Sequence, residues 1–148
     1  MKKLFIYFSL TGNGDLLAQL LEAKGYDIRK VVEKKKSPKS FFWRVMSGGF
    51  RAGLNLKGKL VDYNSDISEY EEIVIGSPVW NGRFAPAINS VLEQTNLEGK
   101  KLTFLFYSGS GDMPKAKKKI DKNYPDAKIV VLKEPKTHGN ELDKLSNL

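Results

Sequence analysis

The 148-residue sequence contains no cysteine and only one histidine. Disulfides and thiolate metal sites are therefore excluded, and a histidine-rich metal site is excluded with them. No apolar run approaches the roughly 18 residues of a membrane span. The apolar stretch that follows Lys2 and Lys3 is too short for a signal peptide, and no small-residue cleavage site comes after it. We therefore expect a cytoplasmic protein with no membrane span, no metal and a single domain over residues 1–148.

Negative charge is also scarce, because 25 Lys and Arg residues face 17 Asp and Glu residues, giving a formal net charge of +8. Such a charge favours acidic proteins, nucleic acid or anionic lipid surfaces as partners. The lysines are spread along the chain, which is equally typical of a solvated surface. No RNA-binding aromatic motif or basic helix accompanies the charge, so we expect no nucleic-acid partner.

Apolar runs of strand length alternate with helix-forming segments, which indicates an α/β fold with a parallel sheet. The predicted strands are 3–8, 28–32, 71–76, 102–107 and 128–132. The predicted helices are one that contains 16–21 and ends near Gly25, then 85–93, 115–123 and a short last helix over 140–148. Between the second and third strands, a helix opening at Ser37 is predicted to cover the sheet with apolar side chains.

The stretch 9–15, Ser-Leu-Thr-Gly-Asn-Gly-Asp, joins the first strand to the first helix. The first N–H groups of a helix have no partner within it, and the helix dipole places partial positive charge there. Gly12 and Gly14 let the backbone approach a ligand. Side-chain donors are added by Ser9, Thr11 and Asn13. A phosphate fits such a loop, although the stretch also suits a turn that binds nothing. No Lys follows Gly14 and position 17 is Leu, so neither a Walker loop nor a complete dinucleotide fingerprint is present.

Two more polar loops follow the third and fourth predicted strands, at 77–84 and 108–112. Ligands of open α/β sheets bind beyond the carboxyl ends of the strands, where these loops and the first one are expected to meet. Trp80 offers a flat face to a planar ring. The Gly-rich loop 108–112 offers backbone N–H groups, and we expect its Asp112 to cap the next helix. The three loops together indicate a site for a mononucleotide that carries a large planar ring.

On these residues the chain resembles the flavodoxin family. The first loop resembles the hydroxyl-rich loop that binds the FMN phosphate, 73–80 resembles the third strand and the loop with the stacking Trp, and 106–112 resembles the fourth strand and second flavin loop. The resemblance implies a three-layer α/β fold, with a five-stranded parallel sheet of order 2-1-3-4-5 and helices on both faces. It also implies noncovalently bound FMN and one-electron transfer between redox proteins.

The resemblance implies one set of cofactor-binding residues for the phosphate and two for the flavin. The phosphate ligands would be Ser9, Leu10, Thr11, Gly12, Asn13 and Gly14. The flavin contacts would be Pro78, Val79, Trp80, Asn81 and Gly82 together with Ser108, Gly109, Ser110, Gly111 and Asp112. No nucleophile or acid–base pair stands out, so no catalytic residue is predicted.

The sequence also departs from the family pattern. Gly14 stands where a hydroxyl residue is usual, which removes one bond to the phosphate. The loop 108–112 has no aromatic residue for the outer flavin face, and whether Tyr107 supplies one stays open. Flavodoxins are typically acidic, whereas this chain is basic.

We expect an FMN-binding electron carrier that is a monomer and has acidic redox partner proteins. The alternative is an NAD(P)H-dependent FMN quinone or flavin reductase of the same fold, since the missing outer aromatic leaves room for a second planar substrate. A basic module that binds nucleic acid or a membrane surface without any nucleotide is the least favoured function.

Overall fold

The structure, a computed structural model, describes residues 2–9, 12–33, 60–80, 82–108, 113–133, 135 and 139–148. Its elements are β1 (Lys3–Tyr7), α1 (Asn13–Ala23), β2 (Asp27–Lys30), β3 (Glu72–Trp80), β4 (Arg83–Phe84), α2 (Pro86–Gln94), β5 (Lys101–Ser108), α3 (Pro114–Asn123), β6 (Lys128–Lys133) and a 3₁₀ helix (Gly139–Asn147). The helix predicted to open at Ser37 lies outside the described residues.

Five strands form a parallel sheet in the order β2-β1-β3-β5-β6. Counted without the short β4, this is the predicted order 2-1-3-4-5, so the α/β fold of the flavodoxin type is confirmed. The described strands number six rather than five, because residues 83–84 turn back and pair antiparallel with the end of β3. The parallel register brings Tyr7 of β1 beside Gly76 of β3, and Pro78 of β3 beside Tyr107 of β5.

Side chains of the central strands alternate between two apolar layers, one on each face of the sheet. Along β1, Leu4 and Ile6 join the layer that includes α2 and α3, whereas Phe5 and Tyr7 join the layer that includes α1 and the 3₁₀ helix. The fully buried core includes four phenylalanines, and burying each such side chain stabilises the fold by about 1.5–3 kcal/mol. The predicted helices on both faces are thereby confirmed for the described part of the chain.

The ends of the helices follow local sequence. Gly25 has a φ of 92°, and its N–H donates to the carbonyl of Glu22 at 3.0 Å, so it ends α1 as predicted. The final helix is present but is a 3₁₀ helix rather than an α-helix. No helix within the described ranges is long and apolar enough to cross a membrane.

Glu72, the first residue of β3, is buried although its side chain is acidic. The Tyr26 hydroxyl donates to Glu72 Oε1 at 2.7 Å, and Lys101 Nζ lies 3.9 Å from Oε2. Burial, together with the neighbouring Glu72 carboxylate, raises the pKa of Tyr26 above its ordinary value. This carboxylate is therefore part of the packing between β1, β3 and β5 rather than of the surface.

Candidate functional site

The N-terminus of α1 lies at the carboxyl end of β1, and two backbone N–H groups there point at one oxygen atom. Gly12 and Gly14 donate to Ser9 Oγ at 3.2 and 3.1 Å. Gly12 has a φ of 91°, in the left-handed region that favours glycine, and it precedes the helix without a side-chain cap. Ser9 Oγ accepts both bonds, and a hydroxyl in this role still has one hydrogen to donate. These two N–H groups are satisfied by the serine hydroxyl, and the start of α1 adds the partial positive charge of the helix dipole, which favours an anion.

Gly14 is buried because aromatic side chains fill the space beneath it. A Cβ at this position would lie 2.8 Å from Ser9 Cβ, from the Tyr107 hydroxyl and from Tyr7 Cδ2. In the comparison with the family pattern, Gly14 replaces a hydroxyl residue that would bind the phosphate. In the structure, the residue lets the first turn of α1 approach the two tyrosines, so no larger residue fits without displacing them.

The carboxylate of Asp15, in the first turn of α1, accepts hydrogen bonds from two other elements. Tyr7 donates to Asp15 Oδ1 at 2.7 Å, and Lys30 Nζ donates to the same oxygen at 2.9 Å. Burial of the Tyr7 ring, reinforced by this bond to a carboxylate, raises the pKa of Tyr7. An acidic residue in the first turn interacts favourably with the helix dipole, but its charge repels a bound phosphate. The Lys30 ammonium offsets part of that negative charge.

Tyr107 is buried on the same side of the sheet and packs with Phe5, Tyr7 and Leu17. Its hydroxyl donates to the backbone carbonyl of Phe8, directly below the loop that follows β1. Complete burial raises the pKa of Tyr107 well above its ordinary value. The sequence left open whether Tyr107 covers the outer face of a bound ring. The structure shows that it supports the first loop instead.

The second loop is shorter than predicted, because β3 continues through Pro78 to Trp80. The expectation that 77–84 is all loop is therefore wrong: Val79 pairs with Phe84, and Trp80 pairs with Arg83, in a tight hairpin. The Ser77 hydroxyl accepts the N–H of Ala85 at 3.1 Å, which joins both ends of the hairpin.

Gly82 connects this hairpin to α3. Its carbonyl accepts the N–H of Ala116 at 2.9 Å, and a Cβ on it would lie 3.2 Å from Pro114 Cδ. Its φ of 69° is one that glycine adopts readily. The hairpin thus contacts the start of the helix that follows the third loop. Met113 stands at the N-cap position of this helix, which begins at Pro114, and Asp112, the predicted cap, lies outside the described residues.

Among the sequence-predicted residues, the structure brings the described ones to the same edge of the sheet. Tyr7 lies beside Gly76, and the N–H of Phe8 donates to the carbonyl of Gly76 at 3.2 Å, so Ser9 follows alongside the second half of β3. Pro78 lies beside Tyr107, which precedes Ser108. The remaining predicted residues lie outside the described part of the chain: Leu10, Thr11, Asn81, Gly109, Ser110, Gly111 and Asp112.

Sequence reasoning missed several residues that shape this edge. The sequence places Tyr7 and Tyr107 in predicted strands. Only the tertiary structure brings both side chains beneath Gly14, next to the first loop. Lys30 reaches Asp15 from β2, 15 positions away. The statement that no basic helix accompanies the charge is also wrong, since α3 carries five lysines and one aspartate in ten residues. A count of charges along the predicted helix 115–123 could have found it.

The sheet order and the glycine-bearing loop before α1 define the class of protein as a flavodoxin-like α/β protein. A protein-family model described as Flavodoxin matches residues 2–145, and the chain belongs to this family. No curated protein matches the sequence at a significant level.

Solved structures show the same fold. A Bacteroides uniformis protein assigned as a flavoprotein has a TM-score of 0.72 and 22% identity, over 96% of this chain and 97% of that one. A flavoprotein from Lactobacillus acidophilus in complex with FMN has a TM-score of 0.71 and 18% identity, over 94% and 97% of the two chains. An oxidised flavodoxin from Bacillus cereus has a TM-score of 0.52 and 14% identity, over 100% and 99%.

Proposed function

We propose that this protein is an FMN-binding electron carrier that holds the cofactor at the carboxyl edge of its sheet. The observation that carries the proposal is the convergence of the Gly12 and Gly14 N–H groups on Ser9 Oγ at the start of α1. This donor set suits the terminal phosphate of a mononucleotide. Family membership and the FMN complex of the Lactobacillus acidophilus flavoprotein support FMN as the ligand.

The residues of this chain would bind and orient the cofactor. The phosphate would be held by the loop that begins at Ser9, with α1 directing its N-terminus towards it. The β3–β4 hairpin through Trp80 and Gly82, and the loop that begins at Ser108, would hold the flavin as the resemblance to the family implies. When bound, the isoalloxazine supplies the redox chemistry, and the protein positions it and sets its electrostatic surroundings.

The proposal is tested by adding FMN to the apo-protein and following the quenching of flavin fluorescence. We expect stoichiometric binding, with riboflavin bound at least about tenfold more weakly, because riboflavin lacks the phosphate that the α1 loop would hold. Equal affinities for FMN and riboflavin would contradict the assignment of the phosphate to this loop. A protein that binds neither would contradict the cofactor itself.

A flavin or quinone reductase of the same fold is the second candidate, and the buried position of Tyr107 favours it. Since Tyr107 bonds to the carbonyl of Phe8, it does not supply the aromatic cover that the loop 108–112 lacks. Room beside the ring would suit a second planar substrate. Steady oxidation of NADPH by the FMN-loaded protein in the presence of a quinone would favour the reductase. Reduction by dithionite in two separate one-electron stages, without NADPH turnover, would favour the carrier.

A further inference from the structure

A basic cleft lies between α3 and the β3–β4 hairpin. It has a volume of about 350 Å³, and its charged lining residues are Arg83, Lys115, Lys118, Lys119 and Lys122. No lining residue of this cleft is acidic in the described part of the chain. The buried ring of Phe84 forms part of its wall, with Lys119 Nζ 5.7 Å from the ring centre. The cleft therefore concentrates positive charge on one face of α3.

The helix periodicity places these lysines together. Ala116 and Ile120 anchor α3 in the core. Lys115, Lys118 and Lys122 are exposed and follow an i, i+3, i+7 pattern, so they share one face. Their neighbour Lys117 differs, because it pairs with Asp121 at 3.2 Å. In the described part of the chain, none of the three exposed cleft lysines forms a salt bridge with a carboxylate. Like charges at this spacing repel and disfavour the helix unless something neutralises them.

The other wall of the cleft also carries a positive charge, that of Arg83. Arg83 pairs with Trp80 in the hairpin, and its Nε is buried without a hydrogen-bond partner in the described structure. The guanidinium is a permanent cation whose planar, forked donors suit pairing with a carboxylate.

The cleft adjoins the proposed cofactor site. Gly82, one of the predicted flavin contacts, accepts the N–H of Ala116, and Lys115 is next to the Pro114 that contacts Gly82. A protein seated in the cleft would therefore stand beside the β3–β4 hairpin and the start of α3, next to Gly82 of the proposed flavin site. Opposite charges steer such encounters and fix their orientation.

We propose that this cleft is the docking surface for an acidic redox protein, whose carboxylates pair with Lys115, Lys118, Lys122 and Arg83. This inference rests on the proposed carrier function, which it extends by naming the surface and the chemistry of the partner. An acidic protein is favoured over nucleic acid because the cationic stripe spans only about 10 Å of helix, at 1.5 Å per residue. The aromatic wall residue, Phe84, is also buried and cannot stack on a base.

The test uses a strongly acidic plant-type [2Fe–2S] ferredoxin as the probe. Its affinity for the full-length protein is measured by isothermal titration at low and high salt, with and without FMN. The cleft variants are Lys118→Glu and Lys122→Glu. The matched control is Lys128→Glu, because Lys128 is exposed, is not a lining residue of the cleft and undergoes the same change of charge.

We expect ferredoxin binding to wild type to weaken as the salt concentration rises. At low salt, each cleft variant should bind about fivefold or more weakly than wild type, and the control should bind less than about twofold more weakly. Absence of salt-dependent binding, or an equal loss in the cleft and control variants, would overturn the docking proposal. A short double-stranded DNA that displaces the ferredoxin from wild type but not from the cleft variants would also overturn it, in favour of a nucleic-acid interface.

The two proposals fail separately in this design. If FMN does not bind, the carrier function fails, while ferredoxin titration of the apo-protein still reports on the cleft. If FMN binds tightly and the cleft variants bind ferredoxin like wild type, only the docking surface is refuted. Unchanged FMN affinity in Lys118→Glu and Lys122→Glu shows that these variants retain the cofactor site.

Discussion

Replacing Gly14 by alanine tests the close packing beneath the proposed phosphate loop. Helix propensity alone predicts stabilisation, because Ala is better than Gly within a helix by about 0.5–1 kcal/mol. The structure predicts the opposite sign. The new methyl group would lie 2.8 Å from three atoms, one each on Ser9, Tyr107 and Tyr7. Carbon contacts are comfortable at about 3.5 Å or more, so each neighbour would have to retreat by about 0.7 Å.

These neighbours cannot retreat easily. Tyr107 is held by its bond to the Phe8 carbonyl, and Tyr7 by its bond to Asp15. Overpacking of such a site costs about 1–3 kcal/mol. Subtracting the middle of the propensity range from the middle of the overpacking range, we expect Gly14→Ala to lower the free energy of unfolding by about 1 kcal/mol. For a chain of this size, the corresponding fall in Tm is roughly 2–8 °C. Gly14→Ser, which restores the hydroxyl residue usual in the family, meets the same atoms and should also destabilise.

Urea and thermal denaturation of the apo-protein measure this effect. Gly139→Ala is the matched control, because a Cβ at Gly139 meets nothing within 4 Å, and we expect it to be neutral or slightly stabilising. Adding Tyr107→Phe removes one of the three crowded atoms, so the double variant should be less destabilised than the sum of the single ones. A Gly14→Ala protein as stable as wild type, or more so, would refute the packing described here.

Three other predictions concern the loop, the buried carboxylate and the tyrosines. Ser9→Ala should weaken FMN binding about tenfold in a fluorescence titration and riboflavin binding much less, because the hydroxyl would donate to the phosphate; equal losses would contradict that role. Tyr26→Phe should lower the free energy of unfolding by about 1.5–3 kcal/mol, since the buried Glu72 carboxylate loses its donor, and a double-mutant cycle with Glu72→Gln should show coupling rather than additivity. Stability should stay level up to about pH 10 and fall above it, because the raised pKa values of Tyr7, Tyr26 and Tyr107 keep these groups protonated in the folded state while the unfolded state loses its protons. Denaturant midpoints across that range measure the fall, and Tyr26→Phe should make it shallower; an unchanged slope would show that Tyr26 does not contribute.

The sequence anticipated the parts of the site that depend on short stretches of chain. Gly12 and Gly14 predicted a tight turn before α1 because only a few residues of backbone are needed to bring their N–H groups to Ser9 Oγ. Gly25 predicted the end of α1 for the same local reason. The residues that support the turn could not be found this way. Tyr107 comes from a strand about 100 positions later, and its bond to Phe8 exists only because β1 and β5 lie close in the sheet.

By itself, the sequence determined the α/β class, the strand order implied by its family resemblance and the loops at the carboxyl edge. The class and the loops could be predicted because apolar runs and glycine turns depend on neighbouring residues, whereas the strand order came from the family resemblance and from no local pattern. The tertiary structure decided which way polar and charged groups face. Only packing buries Glu72 against Tyr26, and only the contact between Gly82 and α3 gathers Arg83 and the lysines of α3 into one cleft. These arrangements join residues distant in the chain, and no local pattern specifies them.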